Sequence, residues 1–196
     1  MRYSCVFNAT EFAEAIRSAI PFAEPGTDAV LSQVHVVLFP DYKVYIEALC
    51  SYQMFRRELE VLGDGLNDKI SFNISLRDAR RIAAALPKKF HDEAEISLVW
   101  DMGNATIEGG GVSIEIGTTT VEYPNTQVFI QKFSDDASSP LSFPLWIHPE
   151  KLAIMSKPFP KGTAVRFDIS EDGVLLRLHS EPLGITVIGT FSNPPA

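Results

Sequence analysis

The chain has 196 residues, of which 45% are apolar, and carries 25 acidic against 17 basic side chains for a formal net charge of −8. That length suits one to two domains with a sizeable core, and no apolar run approaches the ~18 residues that read as a membrane helix. An acidic chain repels nucleic acid on average, so any contact with a polyanion must come from a local basic surface. Two cysteines, Cys5 and Cys50, make neither a disulfide framework nor a four-thiolate zinc site. Residues 7–22 are interrupted by Glu11, Glu14 and Arg17, which is unlike a secretory leader, so a cytoplasmic location is expected. The Asn8, Asn73 and Asn104 sequons then read as helix-entry and turn residues.

Three copies of one pattern run along the chain. The first opens with a strand over residues 2–7 and a helix over 10–22, where Phe12, Ala15, Ile16, Ala19 and Ile20 share a stripe. Thr10 is the expected N-cap, and Pro21 and Pro25 stop the helix. Strands over 30–39, 43–49 and 55–62 follow. The second copy has a strand over 70–75 and a helix over 76–86, capped by Ser75, striped by Leu76, Ala79, Ile82, Ala83 and Leu86, and ended by Pro87. Its strands cover 94–99, 104–108 and 112–116, the last two joined by Gly109-Gly110-Gly111, which supplies the positive φ of a tight hairpin. These glycines lead into a strand and lack the Lys-Ser/Thr of a phosphate-binding loop. The third copy places a strand over 141–148 and a short helix over 149–156, with Pro149 at its first position and Pro158 beyond it. A strand over 164–169, a turn over 170–173 and two more strands complete it. Self-similarity of this kind sets architecture. It predicts an α+β fold of repeated β-α-β-β-β units with helices on one face of antiparallel sheets: residues 1–126 form a two-unit domain and 127–196 a third unit equal to half of one.

Charge is concentrated on the second helix. Arg77, Arg80, Arg81, Lys88 and Lys89 cluster there and just after it. At about 100° per residue, Arg77, Arg81 and Lys88 share an azimuth opposite the apolar stripe. Such a face is either a solvated helix surface or a phosphate-binding one, giving salt-sensitive, sequence-independent affinity. Arg17, Lys151 and Lys157 would extend it.

Catalytic constellations do not emerge. His35, His91, His148 and His179 have no partner at metal-ligand spacing, and read as surface or strand histidines. No Gly-x-Ser-x-Gly elbow occurs, and the pairs Asp135-Asp136 and Glu171-Asp172 lie in turn-like segments. The chain reads as a non-enzyme with no cofactor.

Residues 12–22, Val30-Leu31-Ser32-Gln33-Val34-His35-Val36, residues 43–48 and Arg57-Glu58-Leu59-Glu60-Val61 together resemble the middle domain of the bacterial sliding clamp, the beta subunit of DNA polymerase III. Val121-Glu122-Tyr123-Pro124-Asn125-Thr126-Gln127-Val128-Phe129-Ile130 is similar to the "E-F-P-D-Y-x-x-V-I" domain exit of that family. Residues 141–191 resemble the second half of its last domain. Two segments depart from the family. Its "T-D-G-Y-R-L" is Leu49-Cys50-Ser51-Tyr52-Gln53-Met54 here, and its "M-P-M-R-L" tail is Phe191-Ser192-Asn193-Pro194-Pro195-Ala196.

The resemblance implies a ring of twelve units, with helices lining a hole for duplex DNA and sheets outside. Arg17, Arg77, Arg80, Arg81, Lys88, Lys89, Lys151 and Lys157 would face the DNA. It also implies a groove for short apolar peptides of DNA polymerase and clamp loader, with Tyr52, Met54 and Phe191 as wall residues, unless these three simply pack in the core. Three units per chain leave one unpaired, so third units meeting across a two-fold axis would give a homotetramer of dihedral symmetry. A clamp-fold scaffold or decoy that binds clamp partners without encircling DNA is the alternative, and an unrelated α+β ligand-binding protein is a third reading.

Overall fold

The computed structural model describes residues 2–23, 26, 30–51, 53–62, 68–91, 93–133, 147–170 and 173–190. The first unit is β1 (Arg2–Asn8), α1 (Ala9–Ala19), a 3-10 turn (Ile20–Phe22), β2 (Gln33–Leu38), β3 (Lys43–Leu49) and β4 (Gln53–Glu60). The second is β5 (Ile70–Ser75), α2 (Leu76–Ala85), β6 (Glu95–Asp101), β7 (Asn104–Gly109) and β8 (Val112–Thr119). A short α3 (Gln127–Ile130) leads to the third, which has α4 (Pro149–Ser156), β9 (Arg166–Ile169), β10 (Leu175–Ser180) and β11 (Ile185–Thr190). Most of the strand expected over 141–148 lies outside the described residues. None of the described helices is long and apolar enough to cross a membrane.

The first two units exchange their opening strands. β1 does not join β2 but pairs antiparallel with β6, from Arg2↔Asp101 to Asn8↔Glu95. Reciprocally, β5 pairs with β2, from Gln33↔Ser75 to Leu38↔Ile70. Each opening strand touches the end of its own unit only briefly, through Val6↔Leu62 and through Asn73↔Thr119 and Ile74↔Thr118. The third unit then adds to the edge of β4, with β11 in register from Ile185↔Arg57 to Gly189↔Gln53. The resulting sheet has 11 strands in the order β1-β6-β7-β8-β5-β2-β3-β4-β11-β10-β9.

Strand alternation gives this sheet two faces. One face carries the main core, where Phe12, Ala15, Ile16 and Ala19 of α1, Leu76, Ala79 and Ile82 of α2, and Met155 of α4 pack on Phe55, Phe72, Ile96 and Val187. Helices α1, α2 and α4 therefore lie on one side, while α3 packs on the other, with Phe129 and Ile130 against Leu49, Met54 and Ile188. α1 and α2 are also tied by polar contacts: Arg17 Nη2 donates to the carbonyls of Leu86 (2.7 Å) and Pro87 (2.9 Å), and Nε reaches that of Ala83 (3.4 Å). A cation at the last turn of α2 meets carbonyls that have no intrahelical partner and the negative end of the helix dipole. Nε and Nη2 of Arg17 thus tie α1 to the end of α2.

The elements match the local signals to within a few residues at their ends: β4 runs from Gln53 to Glu60 rather than over 55–62, and α1 gives way to the 3-10 turn after Ala19. Ser75 caps α2 through the Asp78 amide (3.0 Å), and the hairpin turns on Gly110 (φ 61) and Gly111 (φ 78), a backbone that a side chain would strain. The cap of α1, however, is Asn8 rather than Thr10. Its Oδ1 accepts from the amides of Thr10 (3.0 Å) and Glu11 (3.1 Å), because the helix starts one residue earlier, at Ala9. Residues 30–32 form a turn rather than the start of β2. On this geometry Asn8→Ala costs about 1 kcal/mol of unfolding free energy, whereas Thr10→Ala leaves the urea midpoint nearly unchanged.

Candidate functional site

On the face away from α1, α2 and α4, five neighbouring strands align one row of side chains: Leu49, Met54, Ile188, Arg177 and Asp168 are successive cross-strand partners from β3 to β9. Its apolar end, with Leu31, Leu175 and Phe129, lines a groove of about 200 Å³ at the β4–β11 junction. Cys50, Ser51, Gln53 and Thr190 form the polar margin. Met54 and Ile188 are buried on the floor, while Phe129 is only half-buried and stands as a wall. The groove exists because β11 joins β4. The two strands supply Ile188 and Met54 to the same face, and neither element alone makes a concavity.

The wall is held by a polar staple. Two residues along from the apolar row runs a second one, Thr119, Asn73, His35, Glu47, Arg56, Thr186, His179 and Arg166, continuous across eight strands. The segment between β8 and α3 lies over it. Asn73 Nδ2 donates to the Val121 carbonyl (2.7 Å), and the Tyr123 ring stacks on His35 at 4.5 Å and 5°. Buried Arg56 pairs with buried Glu47 and donates to Thr126 Oγ1 (2.7 Å) and Gln127 Oε1 (3.0 Å). Thr126 Oγ1 in turn donates to Glu47 Oε1 (2.8 Å). A buried ion pair contributes little net stability but leaves a costly unpaired charge if one partner goes, so it favours a single arrangement of the segment. That arrangement starts α3 at Gln127 and delivers Phe129 to the groove.

The helix face carries the second feature. Arg77, Arg80, Arg81, Lys88 and Lys89 are all solvent-exposed, and among them Arg81 is held by Asp78 at 2.6 Å. Lys157 is exposed beside α4. Lys151 is half-buried, with Nζ 3.4 Å from Thr190 Oγ1 and its carbonyl accepting from Gln53 Nε2, so it abuts the groove margin. Among the described residues no group of three or more His, Cys, Asp or Glu converges as a metal site.

Of the expected wall residues, Met54 lines the groove as a buried floor, while Tyr52 and Phe191 lie outside the described residues. Leu31, Leu49, Phe129, Leu175 and Ile188 were not anticipated. Strand alternation could have put Met54 and Leu49 on one face, since both flank one turn.

Paired β-α-β-β-β units with exchanged opening strands, helices on one face and closing strands joined edge to edge define the DNA-clamp fold. The chain is structurally similar to DNA polymerase III beta subunits. That of Pseudomonas aeruginosa matches 98% of this chain and 66% of its own length at 11% identity, with a TM-score of 0.68. The sliding clamp of Bacillus subtilis matches 100% and 66% at 12% identity, with a TM-score of 0.71. The beta subunit of Borrelia burgdorferi matches 98% and 63% at 10% identity, with a TM-score of 0.76. The chain thus spans just under two thirds of each of these clamps. No protein-family model and no curated protein matches it.

Burial holds the His35 imidazole below its ordinary 6.5, outweighing the opposing hydrogen bond to Asn73 and the Glu47 charge. A histidine whose folded pKa is depressed stays neutral while the unfolded chain protonates, so stability falls as pH drops below about 6.5. The urea midpoint is therefore lower at pH 5 than at pH 7, and His35→Gln flattens that dependence.

Proposed function

We propose that this chain is a sliding-clamp-like, non-enzymatic tether that encircles duplex DNA and holds replication or repair proteins in the groove at the β4–β11 junction. The observation that carries the reading is the basic surface of α2 and of the segment just after it. On a chain of net charge −8, Arg77, Arg80, Arg81, Lys88 and Lys89 are exposed on the same side of the sheet as α1 and α4. A helix-lined cationic surface suits loose, sequence-independent contact with phosphates, each neutralised charge releasing counterions. Lys157 adds to it.

Ring closure follows from the strand-exchange rule. β9 is the third unit's counterpart of β2 and β6, the strands that accept an opening strand from another unit. Among the described residues nothing pairs its outer edge, and Phe167 on it is 57% exposed. Third units meeting across a two-fold axis cover this edge, and four chains then supply twelve units. The protein resides in the cytoplasm on this reading, where its DNA and partners are.

Changing Arg77 and Arg81 together to Glu is expected to lower duplex affinity at least tenfold and to reduce the slope of log K against log salt by about 2, with fold and mass unchanged. Wild-type affinity and slope in that variant would remove the DNA-facing assignment and leave the scaffold reading. Separately, short peptides with two apolar anchors should bind the groove, and Ile188→Asp should weaken them at least tenfold in fluorescence anisotropy, as loss of a buried anchor site does.

A further inference from the structure

The apolar row of the groove ends in charge. Arg177 on β10 is the cross-strand partner of Ile188, and Asp168 on β9 is the partner of Arg177, so both stand on the groove face of the sheet. Arg166, two residues before Asp168 on the same strand, stands there too. Two guanidinium groups converge on one carboxylate: Arg166 Nε lies 2.6 Å from Asp168 Oδ1, and Arg177 Nε lies 2.9 Å from Oδ2. The side chains of Arg177 and Asp168 are nearly buried, whereas that of Arg166 is 43% exposed. The Phe133 ring covers the Arg177 guanidinium, its centroid 4.8 Å from Cζ.

Both arginines use Nε alone. An arginine holds a carboxylate most strongly through two parallel N–H bonds, and a tie between β9 and β10 needs only one arginine for one aspartate. Here a single carboxylate orients two cations, and among the described residues neither arginine makes another hydrogen bond. The Nη groups of both therefore remain as donors. Beside them lies a concavity of about 700 Å³ that Arg166 and Arg177 line and Asp168 does not. His179 lines it as well, with Nδ1 turned to the Ile185 carbonyl at 3.1 Å. Glu181 is exposed at its rim and is paired with neither arginine. The concavity thus presents guanidinium donors fixed from behind by Asp168 and, for Arg177, by the Phe133 ring.

Resting on the groove reading above, we propose that Arg166 and Arg177 form an anion subsite beside the groove, and that it selects partner segments carrying an aspartate or glutamate next to their apolar anchors. The row itself supplies the continuity, because Ile188 on the groove floor is the direct neighbour of Arg177. Strands are about 4.8 Å apart and an extended chain advances about 3.3 Å per residue, so the step from Ile188 to β10 and β9 spans about two or three residues of a bound peptide. Side chains of β9 stand on the face of the sheet rather than at its edge. Pairing of that edge between third units therefore leaves the subsite open. On a chain of net charge −8 an acidic segment is repelled at long range, so the attraction is confined to this pair of arginines.

The test is fluorescence anisotropy on the full chain with pairs of C-terminally amidated peptides. The members of a pair share two apolar anchors and differ only in carrying aspartate or asparagine about two or three residues from an anchor, on either side. The readout is the ratio of the two affinities, which a partly misfolded variant does not change. The aspartate peptide is expected to bind about tenfold more tightly in one of these placements, as a charge-assisted hydrogen bond would give. Arg166→Gln should reduce that ratio to about threefold or less, and Arg166→Glu should reverse it. Equal affinities in every pair, with the asparagine peptides still bound, overturn the anion subsite and leave the groove standing. An aspartate preference that Arg166→Glu does not alter overturns it as well. No binding by any peptide removes the groove reading and this inference with it.

Discussion

The structure depends on the exchange of opening strands between units. In the first two units the post-helix meander of three strands is completed by a strand from the other unit, β1 beside β6 and β5 beside β2. A unit therefore cannot finish its own sheet. Two units satisfy each other and enclose Phe7, Phe12, Phe72 and Ile96 between helices and strands. Among the described residues the third obtains one neighbour within the chain, through β11 on β4, and nothing pairs the outer edge of β9. On the proposed reading, association arises from the odd number of units rather than from any particular patch of side chains.

The same strands carry two different surfaces because alternation separates their faces. On β4, Phe55 and Arg57 face the helices, where Arg57 meets Glu14 of α1 at 3.2 Å. Met54 and Arg56 face away, one lining the groove and the other fixing the segment above it. A cationic helix surface and an apolar groove therefore coexist on opposite sides of one sheet.

Much of the fold was legible because periodicity alone reports it. The helical stripes of α1 and α2, the strand β5, the glycine hairpin and the third-unit helix all follow from local spacing. The cap of α1 was misplaced because Asn8 and Thr10 both have the chemistry, and only the backbone at Asn8 decides between them. The groove was largely hidden for a different reason. Leu31, Leu49, Phe129, Leu175 and Ile188 come from separate segments, and the β4–β11 pairing that gathers them joins residues over a hundred positions apart. The contact of Arg17 with the end of α2 was hidden because an arginine on a helix looks alike in sequence whatever its guanidinium meets.

The central claim is that four copies of this chain close into a ring with their helices inward. Electron microscopy of the purified protein tests it most directly. The account predicts closed particles of six two-unit lobes around a hole wide enough for a duplex, with two-fold symmetry about perpendicular axes. Solid particles, open arcs or single chains at micromolar concentration would contradict it.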